Sequence, residues 1–479
     1  MLTASAQPQL PPSLSRECIT SAIYTLPQTV HAILLSRNLT SSLTTSQGAP
    51  FTLRLHVSPP HPYLSEMASI QKLRDYLDAN KSIKEAFEKS LDNAHTYDIP
   101  EVDAIETVDD LIKSYEEFLT WIPSENAPGD AVYNKLCLFY FVLDLPPLSK
   151  YQTPIDPNSK APWGWLSNWL IEYSLELGGF MDIPDSLTPE SLATFYTAEK
   201  YNPPGHTMEE DYGPYGLQEW VNFNQFFARR VLPGRRPITE PDNDNIIVSP
   251  ADSVFDGEFP INSDGTVDLP TSSIPLNTVT SKGLQWSIGE LLKESGYAEK
   301  FAEGKFAHSF LGPYNYHRVH VPVSGKVIKA QVVHGLCYLE VVAKRNEETG
   351  RGELGIVRKW RNDPVLYADH GRVEAPNTPG YQFLQSRGIV IIDNPHLGLV
   401  AVVPVGMCQI SSVVLTCKEN QSVSKGAELG YFQFGGSDVV LVFQKHANVS
   451  FVKKGQRLHV GEKIATAVSH STPKPTKLP

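Results

Sequence analysis

Phe432-Gln433-Phe434-Gly435-Gly436-Ser437-Asp438-Val439-Val440 sets two glycines and a serine inside an aromatic and β-branched run. Glycine weakens a strand, so a pair of them there marks a bulge or a close backbone approach. Gly435 and Gly436 open backbone angles closed to other residues, so the peptide ahead of Ser437 can be held under strain. A strained carbonyl beside a hydroxyl invites attack by that hydroxyl. The plainer reading is a glycine bulge at a sheet corner.

Working outward, Gly398 to Cys417 is the longest apolar run without charge. Pro404, Gly406, Gln409 and Ser411-Ser412 interrupt it and valine dominates, so it predicts two buried strands rather than a membrane span. From Pro237 to the end, short β-branched runs alternate with Gly, Pro, Asn and Asp. That pattern predicts a β-rich sandwich or barrel. Upstream the period changes. Ile70, Leu73, Leu77, Ile83, Phe87 and Leu91 recur at helical spacing, and further helices are predicted at 105–121, 130–143 and 162–177, the last opened by Pro162. Trp163, Trp165 and Trp169 read as core packing. The fold class is therefore α+β. The chain divides into a mobile N-terminal arm at 1–65, a helical accessory domain at 66–200 and a β-rich domain at 201–479. The arm holds Arg16, Arg37 and Arg54 against the single acid Glu17, so a targeting segment is the alternative reading.

The chain has 479 residues, 41% of them hydrophobic and 20% charged, the profile of a soluble globular protein. Its formal net charge of −12 argues against nucleic acid as a partner and against a strongly basic membrane patch. Five cysteines without a C-x-x-C pair predict reduced thiols and a cytoplasmic location, with the mitochondrion as the alternative.

Three segments hold groups able to activate Ser437. Ser249-Pro250-Ala251-Asp252-Ser253 offers a carboxylate in turn chemistry, where Asp252 could equally cap the turn. Tyr314-Asn315-Tyr316-His317-Arg318-Val319-His320-Val321-Pro322 offers two histidines and an arginine. On a helix His317 and His320 would share a face and suit a metal, but the prolines and alternating valines favour extended chain, and no third ligand follows at a telling spacing. Serine becomes a nucleophile when a base takes its proton, and the usual base is a histidine oriented by a carboxylate. Asp252, His320 and Ser437 are available for those roles. Phe223-Asn224-Gln225-Phe226-Phe227-Ala228-Arg229-Arg230 reads as an aromatic helix whose arginines form a solvated end.

These motifs, with Arg235-Arg236-Pro237, Val405-Gly406 and Gly426 through Ser437, stand in the order found in the phosphatidylserine decarboxylase family, which residues 215–465 resemble. Within that family the length and layout are similar to those of fungal L-tryptophan decarboxylases. The resemblance implies a self-processing enzyme. His320, oriented by Asp252, would deprotonate Ser437, whose oxygen attacks the Gly436 carbonyl. Scission between Gly436 and Ser437 then leaves a pyruvoyl group, the covalent cofactor, at the head of a 43-residue small chain that stays associated with the large one. The ketone would form a Schiff base with an amine-bearing small-molecule substrate. His317 would lie near the substrate carboxylate and donate a proton, with Tyr316, Arg318 and Asp438 as weaker substrate contacts. The family usually carries Thr or Ser where this chain has Asp438. A carboxylate there would oppose the oxyanion of self-cleavage or pair with a substrate ammonium.

For the substrate, the absence of a spanning run and the negative charge favour a free L-amino acid, and the resemblance makes it aromatic, such as L-tryptophan. The alternative is phosphatidylserine, with membrane contact and a place in phospholipid biosynthesis. The polar segment from Lys344 to Gln385 lies where it could shape a pocket. A non-catalytic barrel-sandwich binding module, or a family member that no longer cleaves itself, is the non-enzyme reading.

Overall fold

The computed structural model describes residues 67–217, 219–269, 284–356, 380–408 and 412–467, together with a small hairpin that pairs Ser42–Thr44 with Pro50–Thr52. The hairpin belongs to one compact unit, 1–65, and everything else to a second, 66–479. The rest of the expected N-terminal arm lies outside the described residues.

In the second unit the helical stretch forms α1 (Ala68–Ala79), α2 (Lys81–His95), α3 (Val108–Leu119), α4 (Ala131–Asp144) and α5 (Trp165–Met181). Thr107 begins α3 with a capping box, its hydroxyl taking the Asp110 amide while the Asp110 carboxylate takes the Thr107 amide. Gly164 begins α5, so Pro162 lies ahead of the helix instead of opening it. Trp169 packs among Tyr115, Phe139 and Tyr173 as core, and Trp165 stacks on Tyr76 at 3.6 Å. A short helix, α6 (Phe223–Phe227), precedes the β-rich part.

Thirteen strands of that part bear on the site. They are β1 (Ser253–Pro260), β2 (Lys305–Leu311), β3 (Arg318–His320), β4 (Gly325–Val333), β5 (Val341–Arg345), β6 (Gly352–Ile356) and β7 (Arg387–Asn394). After them come β8 (Gly398–Met407), β9 (Val413–Leu415), β10 (Ser422–Val423), β11 (Glu428–Phe432), β12 (Gly436–Phe443) and β13 (Arg457–Leu458). Eight form one sheet in the order β10-β4-β7-β8-β12-β2-β1-β13, antiparallel throughout. A three-stranded sheet runs β9-β11-β3. The apolar run from Gly398 does yield two strands, β8 and β9. The α+β class holds, and of the expected sandwich or barrel the described residues show open antiparallel sheets that do not close into a barrel. Helices and sheets share the second unit, in which α4 packs on the β5–β6 hairpin and Asp144 accepts the Val341 amide at 2.8 Å.

The strand that carries Ser437 is the core of the sheet. Val439 to Phe443 are buried between β8 and β2, and each such side chain contributes about 1.5–3 kcal/mol by leaving water. Residues 433–435 carry the chain from β11 in the small sheet to β12 in the large one. This crossing places the site, because β3 pairs with β11 just before it.

Candidate active site around Ser437

Ser437 is the second residue of β12, fully buried, paired with Gly406 on β8 and Leu311 on β2. The two glycines before it answer different needs. Gly435 has φ +148°, which L side chains rarely adopt. At Gly436 a β-carbon would stand 3.1 Å from both Cys408 Sγ and Met407 Cβ. The approach to Ser437 is pinned from outside. The Phe434 amide donates to Asn224 Oδ1 at 2.9 Å, and Asn224 donates in turn to Asp182 Oδ1 at 2.8 Å. Phe223 and Phe227 of α6 meet the Phe434 ring edge-on.

His317, also fully buried, precedes β3, and its carbonyl accepts the Phe432 amide at 2.9 Å. This pairing sets its ring under the crossing, with Nδ1 3.0 Å from Ser437 Oγ. The other nitrogen, Nε2, is 3.1 Å from the Pro313 carbonyl. A carbonyl only accepts, so Nε2 carries the hydrogen and Nδ1 presents a lone pair to the serine hydroxyl. Phe227 stacks on the ring at 3.9 Å and fixes its plane. Burial first, and the Arg229 guanidinium after it, push the imidazole down to about 3. A neutral ring, held in one tautomer and aimed at a hydroxyl, is built to accept that proton.

The other expected groups are placed differently. His320 donates from Nδ1 to the Gly426 carbonyl at 2.8 Å, and its Nε2 takes the Tyr316 hydroxyl at 3.0 Å. It faces an open cleft of about 240 Å³ lined by Arg230, Arg236 and Glu428. Asp252 does not orient it. The Asp252 carboxylate is gripped by Arg236, whose Nη2 lies 2.7 Å from Oδ2, by the Val460 amide at 2.8 Å and by His459 Nδ1 at 3.2 Å. The relay Asp252–His320–Ser437 is therefore not the arrangement in this structure. Strand alternation explains the exchange. Residues 317 and 320 fall on opposite sides of an extended segment, and pairing with β11 turns the first of them toward Ser437.

Tyr316 and Arg318 do not present free groups to a substrate. Arg318 donates to Ala228 O and Glu428 Oε2, each at 2.8 Å. Arg229 is buried, not a solvated helix end, and donates to the carbonyls of Tyr314 and Asn315 at 3.2 and 3.3 Å. Asp438 points to the face opposite Ser437, is fully buried and takes the Tyr381 hydroxyl, so it neither sits beside the Gly436 carbonyl nor waits open for an ammonium. Residues 357–379 of the polar segment lie outside the described residues. Among the described residues, no three His, Cys, Asp or Glu side chains gather as metal ligands, and no helix is long and apolar enough to cross a membrane.

Asn224, Phe227, Pro313 and His459 were invisible as site residues. For the first two, the motif Phe-Asn-Gln-Phe-Phe was the available signal, since an asparagine in an aromatic turn needs a buried partner.

Burial raises the Asp252 carboxyl, but the His459 and Arg236 contacts outweigh it and hold it at about 2, below the 3.8 of a free aspartate. A depressed folded value stabilises above pH 3.8, and the gain is lost as pH falls through about 2. Asp252→Asn is expected to lose about 2–3 kcal/mol at neutral pH. Thermal unfolding against pH should show its deficit closing between pH 4 and pH 2. A deficit unchanged across that range would contradict the ion pair.

Residues 223–466 match the family model described as phosphatidylserine decarboxylase. A phosphatidylserine decarboxylase proenzyme of Bacillus mycoides is 33% identical over 258 residues, covering 53% of this chain and 80% of that protein. Decarboxylase iboD of Amanita muscaria is 30% identical over 49% of this chain and 61% of its own length. Phosphatidylserine decarboxylase proenzyme 3 of Schizosaccharomyces pombe is 31% identical over half of this chain, which spans 22% of that protein.

Proposed function

The chain belongs to the phosphatidylserine decarboxylase family and is a decarboxylase, and on that basis we propose that it is a self-processing, pyruvoyl-dependent enzyme acting on an amine-bearing carboxylate. The observation that carries this reading is the 3.0 Å approach of His317 Nδ1 to Ser437 Oγ, directly behind a pair of glycines. His317 takes the hydroxyl proton, and Oγ bonds to the Gly436 carbonyl carbon as the Gly436–Ser437 carbon–nitrogen bond breaks. Loss of the α-hydrogen and of the ester oxygen from Cβ separates the chains. Water then replaces the nitrogen, which leaves as ammonia. The residues present fit the group so formed, since position 437 starts a buried strand with a neutral imidazole against it. A pyruvoyl group there supplies an electrophilic carbonyl that takes up the substrate amine and withdraws electrons as CO2 leaves. His317, still beside position 437, would take a proton from the incoming substrate ammonium and deliver it to the substrate carbon after CO2 has left.

The two chains hold together after the cut. β12 stays between β8 and β2, β13 pairs with β1, and Lys463–Ala467 pairs with Ile246–Val248. Because His317 is neutral far below its ordinary value, self-cleavage is expected to run at a constant rate from pH 5 to pH 8. A limb centred near pH 6.5 in the rate of chain cleavage would point to another base.

For the substrate we favour a free L-amino acid with an aromatic side chain, supported by the net charge of −12, which disfavours an anionic membrane surface. The names of the Bacillus and Schizosaccharomyces relatives favour phosphatidylserine as the second reading. CO2 release measured on tryptophan, phenylalanine, tyrosine and phosphatidylserine vesicles decides between them. Release from one of the three amino acids is expected, and release from vesicles alone would overturn the preference.

A further inference from the structure

On the face of the sheet away from His317, five buried side chains form a chain of contacts that self-cleavage does not use. Asp438 Oδ2 accepts the Tyr381 hydroxyl and lies 3.0 Å from His308 Nε2. His308 Nδ1 lies 3.0 Å from Asp256 Oδ2. Gln382 Nε2 approaches His308 at 2.9 Å, while its own Oε1 takes the Gly380 amide. Asp438, His308, Asp256 and Tyr381 are each at most 2% exposed. They tie β12 to β2, to β1 and to the turn at 380–386.

The position of this cluster in the chain gives it a purpose. Once the 436–437 bond is cut, position 437 becomes a chain terminus and loses its nitrogen. Termini fray unless they are tied down. Asp438 is then the first residue with an intact backbone, and its side chain is the first anchor behind the new end.

We propose that Asp438 is a positioning residue, clamped through Tyr381 and His308 so that the carbonyl group at position 437 keeps one orientation after scission. This rests on the self-processing reading. The clamp holds the residue next to the reacting one without touching substrate, and it assigns a use to a carboxylate buried on the face opposite Ser437.

Tyr381→Phe deletes one hydrogen bond to the clamp and keeps the ring. Asp438→Asn keeps the shape and removes the charge. Both purified variants and the wild type are followed by denaturing gel, by thermal unfolding and by reaction with phenylhydrazine, which reports how accessible the terminal carbonyl is. Tyr381→Phe is expected to be fully cleaved, to react with phenylhydrazine about tenfold faster than wild type, and to lose about tenfold in kcat with KM within twofold, the scale of one hydrogen bond to a charged group. Asp438→Asn should change both readings in the same direction. A merely structural contact would lower the unfolding midpoint and leave the reagent rate of the folded protein unchanged, and that result overturns the proposal. If Asp438→Asn fails to fold, Tyr381→Phe decides alone. A cleaved wild type with unaltered variants refutes the clamp only, whereas an uncleaved wild type refutes the self-processing reading and the clamp with it.

Discussion

Ser437→Ala is expected to leave a single full-length chain under denaturing conditions and to abolish CO2 release altogether. The Ser437 hydroxyl is the group that His317 Nδ1 faces, and the electrophile is made from the same residue, so both losses must come together. Alanine removes one oxygen from a strand buried between β8 and β2 and leaves its backbone pairing intact. The variant should fold and unfold much as the uncleaved precursor does. Cleavage at the same position in this variant, or turnover by an uncleaved chain, would contradict the account.

His317→Gln carries the second largest effect. A positioned general base contributes about 10²- to 10⁴-fold to a proton transfer, so chain cleavage should slow by that factor. His320→Gln should leave cleavage within a fewfold of wild type, because the His320 ring is bonded to Gly426 and Tyr316 and not to Ser437. The pair of variants separates the two histidines cleanly. Normal cleavage in His317→Gln with none in His320→Gln would restore the relay expected from the motif order and show that the precursor rearranges before it reacts. Glutamine keeps much of the bulk that packs on Phe227, so a slow rate would not reflect an empty cavity.

The site was legible in sequence where its chemistry is local. Two glycines before a serine in a β-branched run announce a strand start under constraint, and the structure places them at the head of β12 with the backbone and space requirements that glycine meets. The two-strand reading of 398–417 succeeded although Pro404 continues β8 instead of breaking it, since the first strand ends at Met407 and the second begins at Val413. What stayed hidden depends on pairing across the chain. His317 and His320 are three residues apart in extended backbone, so one of them must face away, and the register of β3 on β11 decides which. Asp252 read as the partner of a nearby histidine, yet its partners are Arg236 and His459, the latter more than 200 residues later. Asp438 read as a hindrance to self-cleavage or a partner for a substrate ammonium because its side was unknown. Strand alternation turns it away from Ser437 to a cluster drawn from three other segments. The buried Arg229 was misread for a related cause, as the Tyr314 and Asn315 carbonyls that neutralise its burial come from the histidine segment.

Self-made chemistry at position 437 is tested most directly by the intact mass of the purified protein's chains. The account predicts two species, a large chain ending at Gly436 and a 43-residue chain ending at Pro479 that is lighter by one ammonia than the same peptide beginning with serine. A single species with the mass of all 479 residues and an unaltered Ser437 would contradict it.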